Sequence, residues 1–200
     1  MQFSSTELRD LLIAWVVLGI AFTLFLGRPR ILESPASAGF LFVLCMLTAG
    51  VGFLVHELAH KYVAIRFGRQ AAFRAEYRLL GLTLLSGFAG FLFAAPGAVY
   101  HRGRPDQRVT GMVSVAGPIS NLILFVLFLP LTFVPVGLLA LLGSFGLWIN
   151  ALLAAFNMLP VGPLDGRTVW RWHRGVFLTV FITALLAVGY AFATVGLFPI

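Results

Sequence analysis

Charged residues are scarce in this sequence. Asp, Glu, Lys and Arg make up 10% of its 200 residues, while hydrophobic residues make up 60% and the mean hydropathy is +0.99. Because soluble globular domains carry about 25% charged residues, the shortage of charge excludes that class. The composition is typical of a polytopic membrane protein.

Cysteine is also nearly absent, since Cys45 is the single one. An intrachain disulfide is therefore impossible, and cysteine usage says nothing about the compartment.

The amino-terminal segment lacks the basic head of a cleavable signal peptide, and no small-residue cleavage site follows its apolar run. We therefore expect the first helix to be retained.

Acidic residues are outnumbered by basic ones, 7 against 14, which gives a formal net charge of +7. The arginines flank hydrophobic runs, where basic residues set the topology of a membrane protein. We therefore expect the protein to interact with the lipid bilayer, and we do not expect it to bind nucleic acid.

Six apolar runs approach or exceed the roughly 20 residues that a membrane-spanning helix needs. They cover residues 11–27, 39–60, 79–100, 110–133, 136–160 and 175–198, and a polar loop is predicted at 33–39. The third run contains several residues that weaken or break a helix: Gly81, Gly87, Gly90, Pro96 and Gly97. Its parts "GLTLL" and "GAVY" suit extended structure, so the run is interpreted as a re-entrant or sheet-like element.

The basic residues distinguish five spans from six. If run 79–100 returns to the side it left, the amino-terminal side carries 12 basic residues and the other side only Arg28 and Arg30; if it spans, the split is 6 against 8. The positive-inside rule favours the first arrangement, with a cytoplasmic amino terminus. The 12 are Arg9, Lys61, Arg66, Arg69, Arg74, Arg78, Arg102, Arg104, Arg108, Arg167, Arg171 and Arg174.

The predicted fold class is an all-α polytopic membrane protein with about five transmembrane helices plus a re-entrant, partly extended membrane-embedded element. Residues 1–200 are expected to form a single transmembrane domain, because little sequence remains between the apolar runs.

His56 and His60 stand four residues apart in "GFLVHELAHKYVAIRFG" (52–68). On a helix this spacing places both imidazoles on one face, one turn apart, where they can bind a single zinc ion. Glu57 lies on the flank of that face and can act as general base without being a ligand. The alternative is a helix end at the interface whose histidines are solvated or bonded to neighbouring helices, but ionisable residues at depth in a membrane tend to be functional.

A metallohydrolase needs a third protein ligand, and the sequence offers few. Asp10 is near the terminus and Asp106 lies in a basic loop, which leaves Asp165 in "FNMLPVGPLDGR" (156–167). Asp165 could equally cap a short helix that starts at Gly166. In the five-span topology, however, Asp165 lies at the same side and depth as the two histidines, whereas six spans would separate them by a hydrocarbon core of about 30 Å.

The HELAH motif (56–60) together with "NMLPVGPLDG" (157–166) resembles the paired motifs of the site-2 protease family of intramembrane zinc metalloproteases. The order of spans over roughly residues 39–170 also fits the catalytic core of that family. The resemblance implies a metalloendopeptidase that holds one Zn²⁺ per chain and cleaves transmembrane substrate proteins within or near their membrane-spanning segments. It places the protein in the cell membrane of a prokaryote, with the active site toward the cytoplasm.

The resemblance also implies individual roles. His56, His60 and Asp165 are the expected zinc ligands, Glu57 the catalytic base, and Asn157 a polar group near the reacting carbonyl. The segment "PGAVY" (96–100) is similar to an extended segment that pairs with an unwound substrate in this family. The candidate substrate-binding residues there are Gly97, Ala98, Val99 and Tyr100.

Other polar residues carry weaker signals. Asn121, in "AGPISNLILF", is a further candidate for the wall of the active-site cavity, although an Asn in a helical bundle also commonly bonds a neighbouring helix. His101 and His173 lie in basic segments and are expected to be solvated.

The sequence departs from the family pattern in two respects. Gly166 is followed by Arg167 where members often have a second glycine, and the sixth span and the PDZ or CBS domains of many members are absent. Because the sequence stops directly after the fifth span, we expect a shortened chain.

Two other functions remain open. One is a metal-ion or proton transporter that uses the same His, Glu and Asp cluster; it needs access from both faces, and the outer halves of the spans hold no ionisable residue. The other is a catalytically inactive relative, against which the presence of Glu57 argues.

Overall fold

A computed structural model describes residues 1–27, 34–91, 93, 96–103 and 106–196, and it confirms the all-α membrane fold class. Within these ranges, five helical stretches are long and apolar enough to cross a membrane. They are Ser5–Gly27, Pro35–Arg66, Gln107–Phe133, Leu138–Asn157 and Arg174–Val195.

In the described part of the chain, eight α-helices and two short strands follow one another. Their bounds are α1 Ser5–Gly27, α2 Pro35–Cys45, α3 Val51–Arg66, β1 Gln70–Ala75, α4 Tyr77–Ala89, β2 Gly97–Arg102, α5 Gln107–Phe128, α6 Leu138–Asn157, α7 Asp165–Trp172 and α8 Arg174–Val195.

The second span is one continuous helix in which a π-helical turn, Met46–Gly50, joins α2 to α3. The indole of Trp15 on α1 donates to the carbonyl of Met46 in this turn, at 3.1 Å. π-turns occur frequently next to functional sites, and this one directly precedes the helix that carries the HELAH motif.

The predicted polar loop at 33–39 is wrong over most of its length, because α2 already begins at Pro35. Proline suits the first turn of a helix, where a backbone N–H would have no intrahelical partner.

Of the residues used in the charge argument, Arg28, Arg30 and Arg104 lie outside the described residues, as do the last two residues of the predicted run 175–198.

The third apolar run is re-entrant, as predicted. At the start of α4 the hydroxyl of Tyr77 donates to Asp10 on α1, at 3.0 Å, and near its end Gly87 approaches the backbone of Ala21 so closely that a Cβ would overlap it. The chain then returns, because the amide of Glu76 donates to the carbonyl of Pro96 at 3.0 Å. Residues 76 and 96 therefore lie at the same end of the bundle.

The prediction of extended structure for 81–85 is wrong, because these residues lie within α4. A helix satisfies its own backbone polar groups, which an isolated extended segment at membrane depth cannot do. The large apolar side chains of Leu82, Leu85 and Phe88 are exposed on its outer face.

The two strands form an antiparallel pair in which Gln70 lies opposite Arg102 and Ala75 opposite Gly97. β2 contains the predicted extended segment 97–100, whereas β1 was not predicted. The main core lies between α1, the second span and α6, with Phe22, Phe145 and Ile149 among its fully buried side chains. α5 packs against α3, α6 and α7, and this arrangement brings the two sequence motifs together.

Candidate metal centre

His56 and His60 lie on successive turns of α3 and turn their Nε2 atoms toward one point. The two Nε2 atoms are 2.9 Å apart, and Oδ2 of Asp165 lies 3.2 Å from the first and 3.3 Å from the second. One ligand atom from each residue lies within 4.8 Å of the others. Two imidazole nitrogens and one carboxylate oxygen form the donor set of a catalytic zinc site, in which the fourth position stays open.

Asp165 is the first residue of α7 and is contributed from outside the membrane-spanning helices. Leu164 occupies the N-cap position of α7. The carboxylate of Asp165 therefore faces the histidines and does not cap the helix. Burial opposes its ionisation, but His60 and His56 beside it hold the pKa of the Asp165 carboxyl at about 2. The carboxylate is therefore an anionic ligand at neutral pH.

The Nδ1 atoms of both histidines are engaged on the side away from Asp165. Nδ1 of His60 lies 2.7 Å from the carbonyl oxygen of Val113. Because a carbonyl can only accept, that Nδ1 carries the proton. In the neutral ring, Nε2 of His60 then has its lone pair directed at the centre, as metal ligation requires.

His56 is oriented by a chain of side-chain amides that ends on backbone. Asn150 donates to the carbonyl of Gly146 at 2.8 Å, so its oxygen is free to accept from Asn121, at 2.9 Å. Asn121 also donates to the carbonyl of Gly52, at 3.2 Å. The oxygen of Asn121 consequently faces Nδ1 of His56, at 2.7 Å, and fixes the same tautomer as in His60.

This arrangement changes the interpretation of Asn121. It was a candidate for the cavity wall, but the structure places it fully buried behind His56 and not along the cavity lining. The alternative considered from the sequence, a hydrogen bond between helices, describes it better. Its partner Asn150 was not recognisable from the sequence, because the two residues lie 29 positions apart.

Gly117 on α5 allows the close approach between α5 and the two histidines. A Cβ at this position would overlap Nε2 of both His56 and His60. The following residue, Pro118, lies inside the helix. The pair was visible in the sequence as "AGP", but its place against the metal ligands depends on the packing of α5 against α3.

Glu57 is buried beside the ligand set and lines the same cavity. Its Oε2 accepts no hydrogen bond from any residue that the structure describes. A buried carboxylate oxygen without a partner is rare and points to a group that acts on water or substrate.

The cavity has a volume of about 340 Å³. Five residues of β2 line it together with Glu57, Asp165 and Asn157; they are Gly97, Ala98, Val99, Tyr100 and His101. Asn157 ends α6 and donates from Nδ2 to the carbonyl of Leu153, at 3.0 Å. The structure thus brings the strand residues and Asn157 to the cavity that contains the metal ligands.

His101 differs from its expected place in a solvated loop. It lies on β2, lines the cavity, and has Nδ1 at 2.9 Å from a guanidinium nitrogen of Arg69. Burial, and then the charge of Arg69, lower the pKa of His101. His173 is exposed as expected, and its side chain caps α8 by accepting from the amide of Val176.

Three curated proteins of similar sequence carry the same kind of name. The chain is 39% identical over 194 residues to "Putative zinc metalloprotease MJ0611" of Methanocaldococcus jannaschii, covering 94% of each chain. It is 37% identical to "Putative zinc metalloprotease YwhC" of Bacillus subtilis, over 62% of this chain and 66% of that one. It is 33% identical to "Putative zinc metalloprotease Rip3" of Mycobacterium tuberculosis, over 60% of this chain and 29% of that one.

No protein-family model matches the chain. No solved structure matches it either.

Proposed function

Because this chain belongs to the zinc metalloprotease family of these relatives, we propose that it is an intramembrane metalloendopeptidase of the site-2 protease type. Its proposed substrates are membrane proteins, which it cleaves within or near their transmembrane segments. The observation that carries the proposal is the cluster of His56, His60 and Asp165 at the end of a bundle of membrane-spanning length. Beside it lies Oε2 of Glu57, which has no hydrogen-bond partner among the described residues.

His56, His60 and Asp165 are the proposed zinc ligands. When bound there, zinc supplies a Lewis acid and lowers the pKa of its water toward 7. Gly117 lets α5 pack directly against these two histidines, because a Cβ at that position would overlap both Nε2 atoms.

Glu57 is the proposed general base. Its Oε2 takes one proton from the attacking water, and the oxygen of that water forms a bond to the peptide carbonyl carbon. When the carbon–nitrogen bond then breaks, the carboxylic acid of Glu57 returns the proton to the leaving amine. Asn157, at the cavity wall, is the proposed donor to the carbonyl oxygen as it gains charge, once its amide turns away from Leu153.

The open edge of β2 is the proposed substrate site. The amides of Phe73 and Ala75 bond to side chains on the far side of β1, so these two residues do not exchange hydrogen bonds with Val99 and Gly97 opposite them. The backbone groups of Val99 and Gly97 consequently point away from β1. A substrate unwound from its helix can pair with them and keep its backbone satisfied at low dielectric.

The distribution of basic residues supports a cytoplasmic amino terminus and an active site toward the cytoplasm. Among the described residues, Arg74, Arg108 and Arg174 lie at the end of the bundle that holds the metal centre. We propose the cell membrane of a prokaryote as the location, where a transmembrane substrate protein reaches β2 through the lipid phase.

Replacing Glu57 by Gln tests the proposal. The variant keeps the size of the side chain but cannot take the proton of water, so cleavage should fall by roughly 100- to 10,000-fold. The assay incubates the wild type and the variant, in detergent or liposomes, with a single-span substrate that contains helix-destabilising residues, and follows products by mass spectrometry.

Zinc content serves as the control, because Glu57→Gln should retain one zinc per chain. Cleavage by the variant at the wild-type rate would eliminate Glu57 as the base. Cleavage that persists in a zinc chelator would show that the activity does not belong to this metal centre.

A further inference from the structure

A buried ion pair that the proposed chemistry does not use joins α1 to α3. Nζ of Lys61 lies 2.6 Å and 2.7 Å from the two carboxylate oxygens of Glu7. Lys61 is 1% exposed and Glu7 2%. The ammonium also donates to the carbonyl of Gln2, at 2.7 Å, and lies 3.8 Å from the ring centre of Phe3. Lys61 directly follows the metal-ligand candidate His60.

The same carboxylate also holds the sheet. Oε1 of Glu7 accepts the backbone amide of Phe73 on β1, at 3.0 Å. One turn further along α1, Oδ2 of Asp10 accepts the amide of Ala75, at 3.3 Å. Phe73 and Ala75 are two residues apart, so their amides point to the same edge of β1. Two carboxylates thus close that edge.

Closing the β1 edge leaves β2 as the edge at which another strand can pair. Glu7 therefore links two parts of the site: Lys61 connects it to the helix of His56, Glu57 and His60, and Phe73 connects it to the sheet whose other strand lines the cavity. A buried ion pair is weak evidence for stability, because an apolar pair of similar volume stabilises as well or better. An apolar pair could not accept the amide of Phe73.

We propose that Glu7 and Lys61 are positioning residues, which fix the open edge of β2 relative to Glu57 and thereby determine which peptide bond of a bound strand reaches the metal centre. This inference rests on the proposed peptidase function. A displacement of about 1 Å between a substrate and its catalytic groups can cost about 100-fold in rate, so a link of this kind matters for cleavage beyond its effect on folding.

The test replaces both residues together, Glu7→Met with Lys61→Met, so that no unpaired charge is left buried. We expect one zinc per chain and an unfolding midpoint close to that of the wild type. The turnover number kcat should fall by roughly 10- to 100-fold, and mass spectrometry should find cleavage spread over neighbouring peptide bonds. Hydrogen exchange at Phe73 should become faster.

Two further variants sharpen the test. Glu7→Gln with Lys61→Met keeps an acceptor for the Phe73 amide, and it should restore part of the single-site cleavage. Arg66→Met is the matched control, since Arg66 is an exposed cation on the same helix, and it should cleave as the wild type does.

The inference is wrong if the double methionine variant cleaves the same bond with unchanged kcat per zinc-loaded molecule, or if exchange at Phe73 is unaffected. A wild-type protein that cleaves no membrane substrate would instead contradict the proposed function. In that case the hydrogen-exchange comparison still decides whether Glu7 and Lys61 hold the sheet.

Discussion

At the scale of single residues, the metal centre depends on side chains that do not touch the metal position. Asn121 accepts from Nδ1 of His56, and its own orientation is fixed by Gly52 and Asn150. Its amide oxygen therefore determines which nitrogen of His56 carries the proton. Residues that orient a metal-ligating histidine in this way are commonly worth 10- to 100-fold in metal affinity.

Replacing Asn121 by Leu should therefore weaken zinc binding by roughly 10- to 100-fold. The substitution removes the acceptor for Nδ1 of His56 and leaves the acceptor of His60, the Val113 carbonyl, in place. Competition with a chelator of known zinc affinity, in detergent, measures the change.

Asn150→Leu is the graded comparison, because Asn150 acts on His56 only through Asn121, and it should lose less affinity. Zinc binding by Asn121→Leu at wild-type strength would show that the orientation of His56 is set by packing alone.

At the scale of elements, the re-entrant segment is the feature that distinguishes this bundle from a simple row of spans. α4 begins beside Asp10, runs along α1 to Ala21, and the chain then returns to pair Gly97 with Ala75. A helix of 13 residues is about 20 Å long. The segment therefore places a strand edge beside the metal centre without crossing the membrane.

This topology predicts the labelling of single cysteines. In a Cys45→Ala background, impermeant probes should react with Arg74→Cys and Arg108→Cys from the same face of the membrane, because the two positions flank the re-entrant segment and are exposed.

Val136→Cys is the control for the opposite face, since it is 81% exposed in the connection between α5 and α6. Labelling of positions 74 and 108 from opposite faces would require residues 77–96 to span the membrane.

At the scale of the whole molecule, the metal centre joins separate parts of the chain. α3 supplies two ligand candidates and α7 supplies the third. Around them, α5 supplies the Val113 carbonyl, the Asn121 amide and Gly117. An ion bound only by the folded arrangement stabilises the fold by RT ln(1 + [L]/Kd). The contribution is about 2.7 kcal/mol when free zinc is 100 times Kd.

Removing zinc with a chelator should therefore lower the midpoint of thermal unfolding, and added zinc should restore it. Asp165→Ala should bind zinc weakly and respond little to either treatment. The measurement is intrinsic tryptophan fluorescence during heating of the protein in detergent, with zinc content determined in parallel. An equal response of the wild type and Asp165→Ala would remove Asp165 from the ligand set.

The sequence by itself determined the features that depend on local pattern. Long apolar runs indicated the membrane-spanning helices because a helix must be apolar to face lipid. The spacing of His56 and His60 placed both rings on one helix face because a helix repeats every 3.6 residues. The charge distribution separated a re-entrant segment from a span, and with it predicted that Asp165 lies at the depth of the histidines.

Only the tertiary structure decided which distant groups meet. The pairing of β1 with β2, the amide chain from Asn150 to His56, and the ion pair between Glu7 and Lys61 connect residues 22 or more positions apart. The sequence shows that a polar residue within an apolar helix needs a hydrogen-bond partner. It does not identify that partner, because the partner depends on how the helices pack against one another. For the same reason, Asn121 could be recognised from the sequence as unusual, while its contact with His56 became evident only when α5 was packed against α3.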